Sequence, residues 1–141
     1  MDDIPEDLKL KDIEIGQKKS FEVVVTESMV DDFAKLSGDN NPLHMDENYA
    51  KSNNFKGRVC HGMLLASFFS RLAGMYIPGK NALYFSQSLK FQHPCFVNDR
   101  IEIHGEVIDK SLATKIITLK TTISKDKRQI VDGIGKVMVR D

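Results

Sequence analysis

Residues 61–79 read HGMLLASFFSRLAGMYIPG, and this run decides the fold. From His61 to Ile77 apolar residues fall on every side of a helical projection, interrupted only by Ser67, Ser70 and Arg71. A helix that is apolar all round belongs inside a core rather than on a surface. Pro78-Gly79 ends it. The apolar part, Met63 to Ile77, is shorter than the roughly 20 residues that a bilayer requires, so it predicts a buried helix and not a membrane span.

What surrounds this helix predicts its wrapping. Upstream, residues 18–25 alternate weakly, with Phe21, Val23 and Val25 on one face, and read as a strand. Thr26 or Ser28 can cap a helix carrying Met29, Val30, Phe33 and Leu36, with Gly38 as its stop. Asp46 can cap a short helix through Tyr49 and Ala50, and 53–60 read as loop. Downstream everything reads as sheet. Leu83, Phe85, Leu89 and Phe91 share one parity, with Gln87 set oddly among them. Ile101, Ile103 and Val107 alternate with Glu102, His104 and Glu106. Residues 113–124 are rich in Thr and Ile. In 129–139, Val131, Val137 and Val139 lie on one face and Ile130, Ile134 and Met138 on the other. Asp126-Lys127 predicts a hairpin turn between these last two strands. An antiparallel sheet packed on one buried helix is an α+β class, expected as one domain over residues 1–141.

Composition narrows the partners. Lys plus Arg is 20 and Asp plus Glu is 20, so no net charge favours nucleic acid or an anionic membrane. Cys60 and Cys95 form neither a metal spacing nor a disulfide framework, which predicts a reducing, cytoplasmic setting. The acidic start MDDIPEDLKL does not read as a signal peptide.

The chemistry concentrates at Ser37-Gly38-Asp39-Asn40-Asn41-Pro42-Leu43-His44. Gly38 and Pro42 break regular structure, so Asp39 and His44 are presented on a stiff turn. A carboxylate and an imidazole that share one water can move protons at two atoms, as adding water to an activated double bond requires. The alternative is that Asp39 caps a turn and His44 is a loop histidine. Gly62 opens the buried helix, where free N–H groups favour developing negative charge and the missing side chain allows close approach. Steric need at the helix entrance would also explain it. Ser67 or Ser70 can orient a carboxylate or bond back to a helical carbonyl. Asn41 can support the site or form the turn. Asp39, His44, Asp46 and His61 carry enough ligand atoms for a metal, but at no metal-motif spacing, so no metal is expected. Cys60 near a helix start is read as an inert buried thiol, and His93 and His104 as structural or solvated.

Two blocks, AKLSGDNNPLHMD (34–46) and GRVCHGMLLASFFSRLAGMYIPGKNALYFSQSLKF (57–91) running on to Pro94, Val97 and Asp99, resemble the MaoC-like dehydratases, most closely the (R)-specific enoyl-CoA hydratases. The resemblance spans roughly residues 15–139. It implies the hotdog fold, a curved antiparallel sheet around one long helix, and a homodimer with active sites near the subunit interface. It further implies hydration of a trans-2-enoyl-CoA thioester to the (R)-3-hydroxyacyl-CoA, without metal or redox cofactor. By position, Asp39 and His44 look like the catalytic dyad and Asn41 like a supporting residue. Gly62 looks like the thioester oxyanion donor, and Ser70 is similar to the serine that bonds the catalytic aspartate. A 3-hydroxyacyl-acyl-carrier-protein dehydratase, a non-catalytic acyl-thioester-binding module and a hotdog thioesterase are the competing readings.

Overall fold

The computed structural model describes residues 4–141, and the first three residues of the acidic N-terminal stretch lie outside them. Strand β1 (Lys18–Val24) leads into helix α1 (Glu27–Ser37). Two short helices follow, α2 (Pro42–Met45) and α3 (Glu47–Ser52), and then the long helix α4 (Gly62–Arg71). The remainder is sheet: β2 (Ala82–Gln87), β3 (Lys90–Phe91), β4 (Arg100–Lys110), β5 (Ile116–Lys125) and β6 (Arg128–Val139). All strands pair antiparallel in the order β1-β4-β5-β6-β2, with β3 also on β6. This sheet packed on α4 is the hotdog arrangement, and among the described residues no helix is long and apolar enough to cross a membrane.

Local chemistry sets the boundaries. The Thr26 hydroxyl accepts from the Met29 N–H at 3.1 Å and starts α1, while Gly38 ends it at φ 80°. Asp46 caps α3 through the Tyr49 N–H at 3.0 Å. Within α1, Val30 and Ala34 carry the burial, and Leu36 turns outward with 86% of its surface exposed. Asp126 and Lys127, at φ 50° and 65°, form the β5–β6 hairpin with both residues left-handed, matching the twist of the flanking strands. A register shift lets Ile130 and Val131 both face inward opposite Ile123.

The long helix differs from the expectation in two ways. Its α-helical part stops at Arg71, and Leu72–Tyr76 continues as a π-helical turn before Ile77 becomes extended. Burial is also one-sided. Leu64, Leu65, Phe69 and Leu72 enter the core against Ile101, Ile103 and Ile123, and Ala73 packs with Val107, Ile117 and Leu119, whereas Met63 is 57% exposed and Ser67, Ser70 and Arg71 face outward. A single sheet covers only one side of the helix. Of the residues grouped by parity, Leu83, Phe85 and Phe91 are exposed at the sheet edge, whereas Leu89, between β2 and β3, packs against the core. Gln87 has a clear task there. Its Nε2 donates to the buried Thr121 hydroxyl at 2.9 Å, and its Oε1 accepts from the Tyr84 phenol, which burial pushes up to about 12.

Helix and sheet approach closely at Gly105, where a Cβ would sit 2.7 Å from Leu72 Cδ2. We expect Gly105→Ala to destabilise by about 1–3 kcal/mol through overpacking. Leu72→Ala alone should cost about 2–5 kcal/mol. The double variant should cost clearly less than the sum, because the new methyl enters the emptied space. Denaturant unfolding measures this, and simple additivity would refute the contact.

Candidate active site

The site begins with the turn after α1. Ser37 Oγ donates to the Phe33 carbonyl and accepts the Asp39 N–H at 3.2 Å. Asp39 Oδ1 accepts the Asn41 N–H at 3.2 Å, and Asn41 Oδ1 caps α2 by accepting the Leu43 N–H at 2.9 Å. Asn41 thus builds the turn in this chain. Pro42 pre-sets the first residue of α2, whose single turn swings His44 back over Asp39. His44 Nε2 and Asp39 Oδ2 stand 3.8 Å apart, His44 largely buried and Asp39 half exposed. At that spacing the two groups can share one bridging water.

A second segment orients the histidine. The Val59 N–H donates to the Leu43 carbonyl at 3.1 Å, and His44 Nδ1 lies 2.7 Å from the Val59 carbonyl. A carbonyl can only accept, so Nδ1 carries the proton, and in the neutral ring Nε2 presents its lone pair towards Asp39. Arg58 braces the same turn. Its Nε donates to the His44 carbonyl at 2.6 Å, while Nη2 reaches Asp31 at 2.6 Å and Nη1 reaches Glu27 at 3.2 Å, both on α1. The Arg58 backbone N–H meets Glu47 Oε1 at 2.8 Å.

The third component is the start of α4. His61 is 2% exposed, and its Nε2 donates to the Asp39 carbonyl at 3.0 Å. Its ring stacks on that of His44, with centroids 4.0 Å apart and planes at 28°. No side chain caps the helix, so its first amides are not taken up by its own N-cap residue. A Cβ on Gly62 would lie 2.9 Å from the Phe91 ring, so glycine here is a packing requirement as well as an opening. Asp39, His44, His61 and Gly62 line one cleft of about 440 Å³, to which Met63, Leu65 and Phe91 add apolar surface. A larger depression of about 550 Å³ adjoins Arg58, but its Glu27, Arg58 and Asp99 are already paired, Asp99 with Lys125 at 2.7 Å.

Other sequence-derived residues fall elsewhere. Ser70 is exposed on α4 and makes no hydrogen bond to Asp39 within the chain. It lies eight residues beyond Gly62, about 12 Å further along the helix axis. Ser67 bonds back to the Leu64 carbonyl at 2.6 Å. Cys60 and Cys95 are buried at the cleft, and the neighbouring Cys60 thiol, then burial, pushes the Cys95 thiol up and disfavours a thiolate. His93 is more than a loop histidine: it lines the cleft, and its Nδ1 accepts from Arg128 Nη2 at 2.9 Å. Asp39, His44 and His61 bring ligand atoms within 4.8 Å of one another. The two imidazole planes are close to parallel, however, so in-plane lone pairs do not converge on one ion. The position missed in sequence is Arg58; His61 is weighed there only as a metal ligand and as the residue that precedes Gly62, not as a donor to the Asp39 carbonyl.

The model of the MaoC like domain matches residues 11–129. An (R)-specific enoyl-CoA hydratase of Rhodospirillum rubrum is 38% identical over 129 residues, covering 92% of this chain and 90% of the relative. A mitochondrial 3-hydroxyacyl-[acyl-carrier-protein] dehydratase of Arabidopsis thaliana is 44% identical over 69 residues, covering 49% of this chain and 40% of the relative. Among solved structures, an R-hydratase of Pseudomonas aeruginosa in unliganded form superposes with TM-score 0.92 at 30% identity, covering 97% of this chain and 88% of that one.

Arg58→Met removes a charge-assisted bond to the His44 carbonyl and the ion pairs to the solvent-exposed Glu27 and Asp31. We expect a loss of about 1.5–3 kcal/mol in unfolding free energy. An unchanged denaturation midpoint would show that the brace contributes nothing.

Proposed function

The chain belongs to the MaoC-like domain family, and we propose that it is an (R)-specific enoyl-CoA hydratase that uses Asp39 and His44 on a water. The observation that carries this reading is the 3.8 Å approach of His44 Nε2 to Asp39 Oδ2 beside the open start of α4. The names and coverage of the full-length relatives support the hydro-lyase class and the CoA thioester.

In this reading a water donates one hydrogen to His44 Nε2 and the other to Asp39. Its oxygen attacks C3 of the enoyl thioester as His44 takes the proton. The C2=C3 π electrons move toward the carbonyl, and the Gly62 N–H stabilises the resulting enolate oxygen. The imidazolium then returns its proton to C2 from the same face, giving the 3-hydroxyacyl thioester and regenerating the pair. Asp39 holds the water and offsets the transient charge on His44. Asn41 acts by shaping the turn. Ser70, exposed in one chain, is assigned no step.

The exposed Leu83, Phe85 and Phe91 along the β2 edge support a homodimer in which a second copy covers this strip. The free thiols of Cys60 and Cys95 support a cytoplasmic setting. The Arabidopsis thaliana relative favours a second reading, dehydration of a 3-hydroxyacyl group on a carrier protein.

The test is turnover of trans-2-butenoyl-CoA beside its carrier-protein thioester, with chiral analysis of the product. The expected result is loss of the enoyl absorbance with (R)-3-hydroxybutyryl-CoA as product. Asp39→Asn and His44→Gln should each lower turnover by about 10²–10⁴-fold while remaining folded. Near-normal activity in either variant would remove that residue from the mechanism, and release of free thiol would indicate a thioesterase instead.

A further inference from the structure

His61 is a buried polar ring with an unmet need. Nε2 donates to the Asp39 carbonyl, which leaves Nδ1 as an acceptor, and Nδ1 has no hydrogen-bond partner among the described residues. An acceptor withdrawn from water without a donor costs stability. A phenylalanine would fill the same space between Phe33 and His44, whose rings lie 4.9 and 4.0 Å from that of His61, without an orphan atom. Packing alone therefore favours phenylalanine. What it cannot supply is the N–H that holds Asp39. That bond joins the backbone of one proposed dyad member to a ring stacked on the other, so a single side chain sets their mutual placement.

Resting on the hydratase reading, we infer that His61 is a positioning residue that holds Asp39 and His44 in register for the shared water. It touches neither water nor substrate in this role. Losing it lets the Asp39 turn shift against His44, and a misplacement of about 1 Å can cost on the order of 100-fold in rate. Stability changes little, because relief of the unpartnered Nδ1 is offset by the donor that the Asp39 carbonyl loses.

The discriminating variants are His61→Phe, which keeps the stack and removes the donor, and His61→Gln, which restores an N–H near the position of Nε2. For His61→Phe we expect a melting temperature near wild type and kcat lower by about 10–100-fold. KM for trans-2-butenoyl-CoA should stay within about threefold, since the loss falls on the chemical step. His61→Gln should recover a substantial part of kcat. The Asp39 carbonyl carbon, followed by NMR, should shift in His61→Phe, where it loses the donated N–H, and return towards wild type in His61→Gln.

Retention of kcat within about twofold in His61→Phe would overturn the inference, as would a loss that only tracks the folded fraction. If the wild-type protein hydrates no enoyl thioester, the proposed function fails. The Asp39 carbonyl resonance still decides the positioning role, and an unchanged signal in His61→Phe refutes it.

Discussion

The hydrogen bond from His44 Nδ1 to the Val59 carbonyl, 2.7 Å long, is the constraint on which the site depends. It fixes the tautomer, turns Nε2 towards Asp39 and ties the Asp39–His44 turn to the segment that enters α4. That segment is anchored in turn. Val59 bridges to Phe96, and the Cys60 N–H donates to the Cys95 carbonyl at 2.7 Å. The loop before α4 is therefore held between the Asp39–His44 turn and the residues leading into β4.

Within this frame the polar groups are arranged by burial. His61 and the Arg58 side chain lie largely out of water, while Asp39 and the carboxylates gripping Arg58 remain open to it. The bracing groups are buried and the Asp39 carboxylate faces solvent, which suits the proposed handling of one water. The apolar core behind α4 supplies rigidity, and the close approach of Leu72 to Gly105 sets how near the helix stands to the sheet.

Much of this was legible in sequence because it is local. The caps at Thr26 and Asp46, the stop at Gly38, the hairpin at Asp126-Lys127 and the apolar helix after Gly62 each follow from a few neighbouring residues. The approach of Asp39 to His44 was legible for the same reason. What could not be read is what crosses the chain. Arg58 meets Glu27 and Asp31 from about thirty positions away, and His61 meets the Asp39 carbonyl across twenty-two. Periodicity shows that Leu83, Phe85 and Phe91 share a face but not that this face points outward. The outward placement of Ser70 depends on the side of α4 that the sheet leaves uncovered, which helix periodicity alone does not specify.

The central claim is that Asp39 and His44 act as one unit on a single water. The most direct measurement is the kcat of the Asp39→Asn/His44→Gln double variant beside each single variant. Groups acting as a unit are strongly non-additive, so the double variant should be no slower than the more damaged single variant within about threefold. Losses that multiply would mean that the two residues act independently, and would contradict the account.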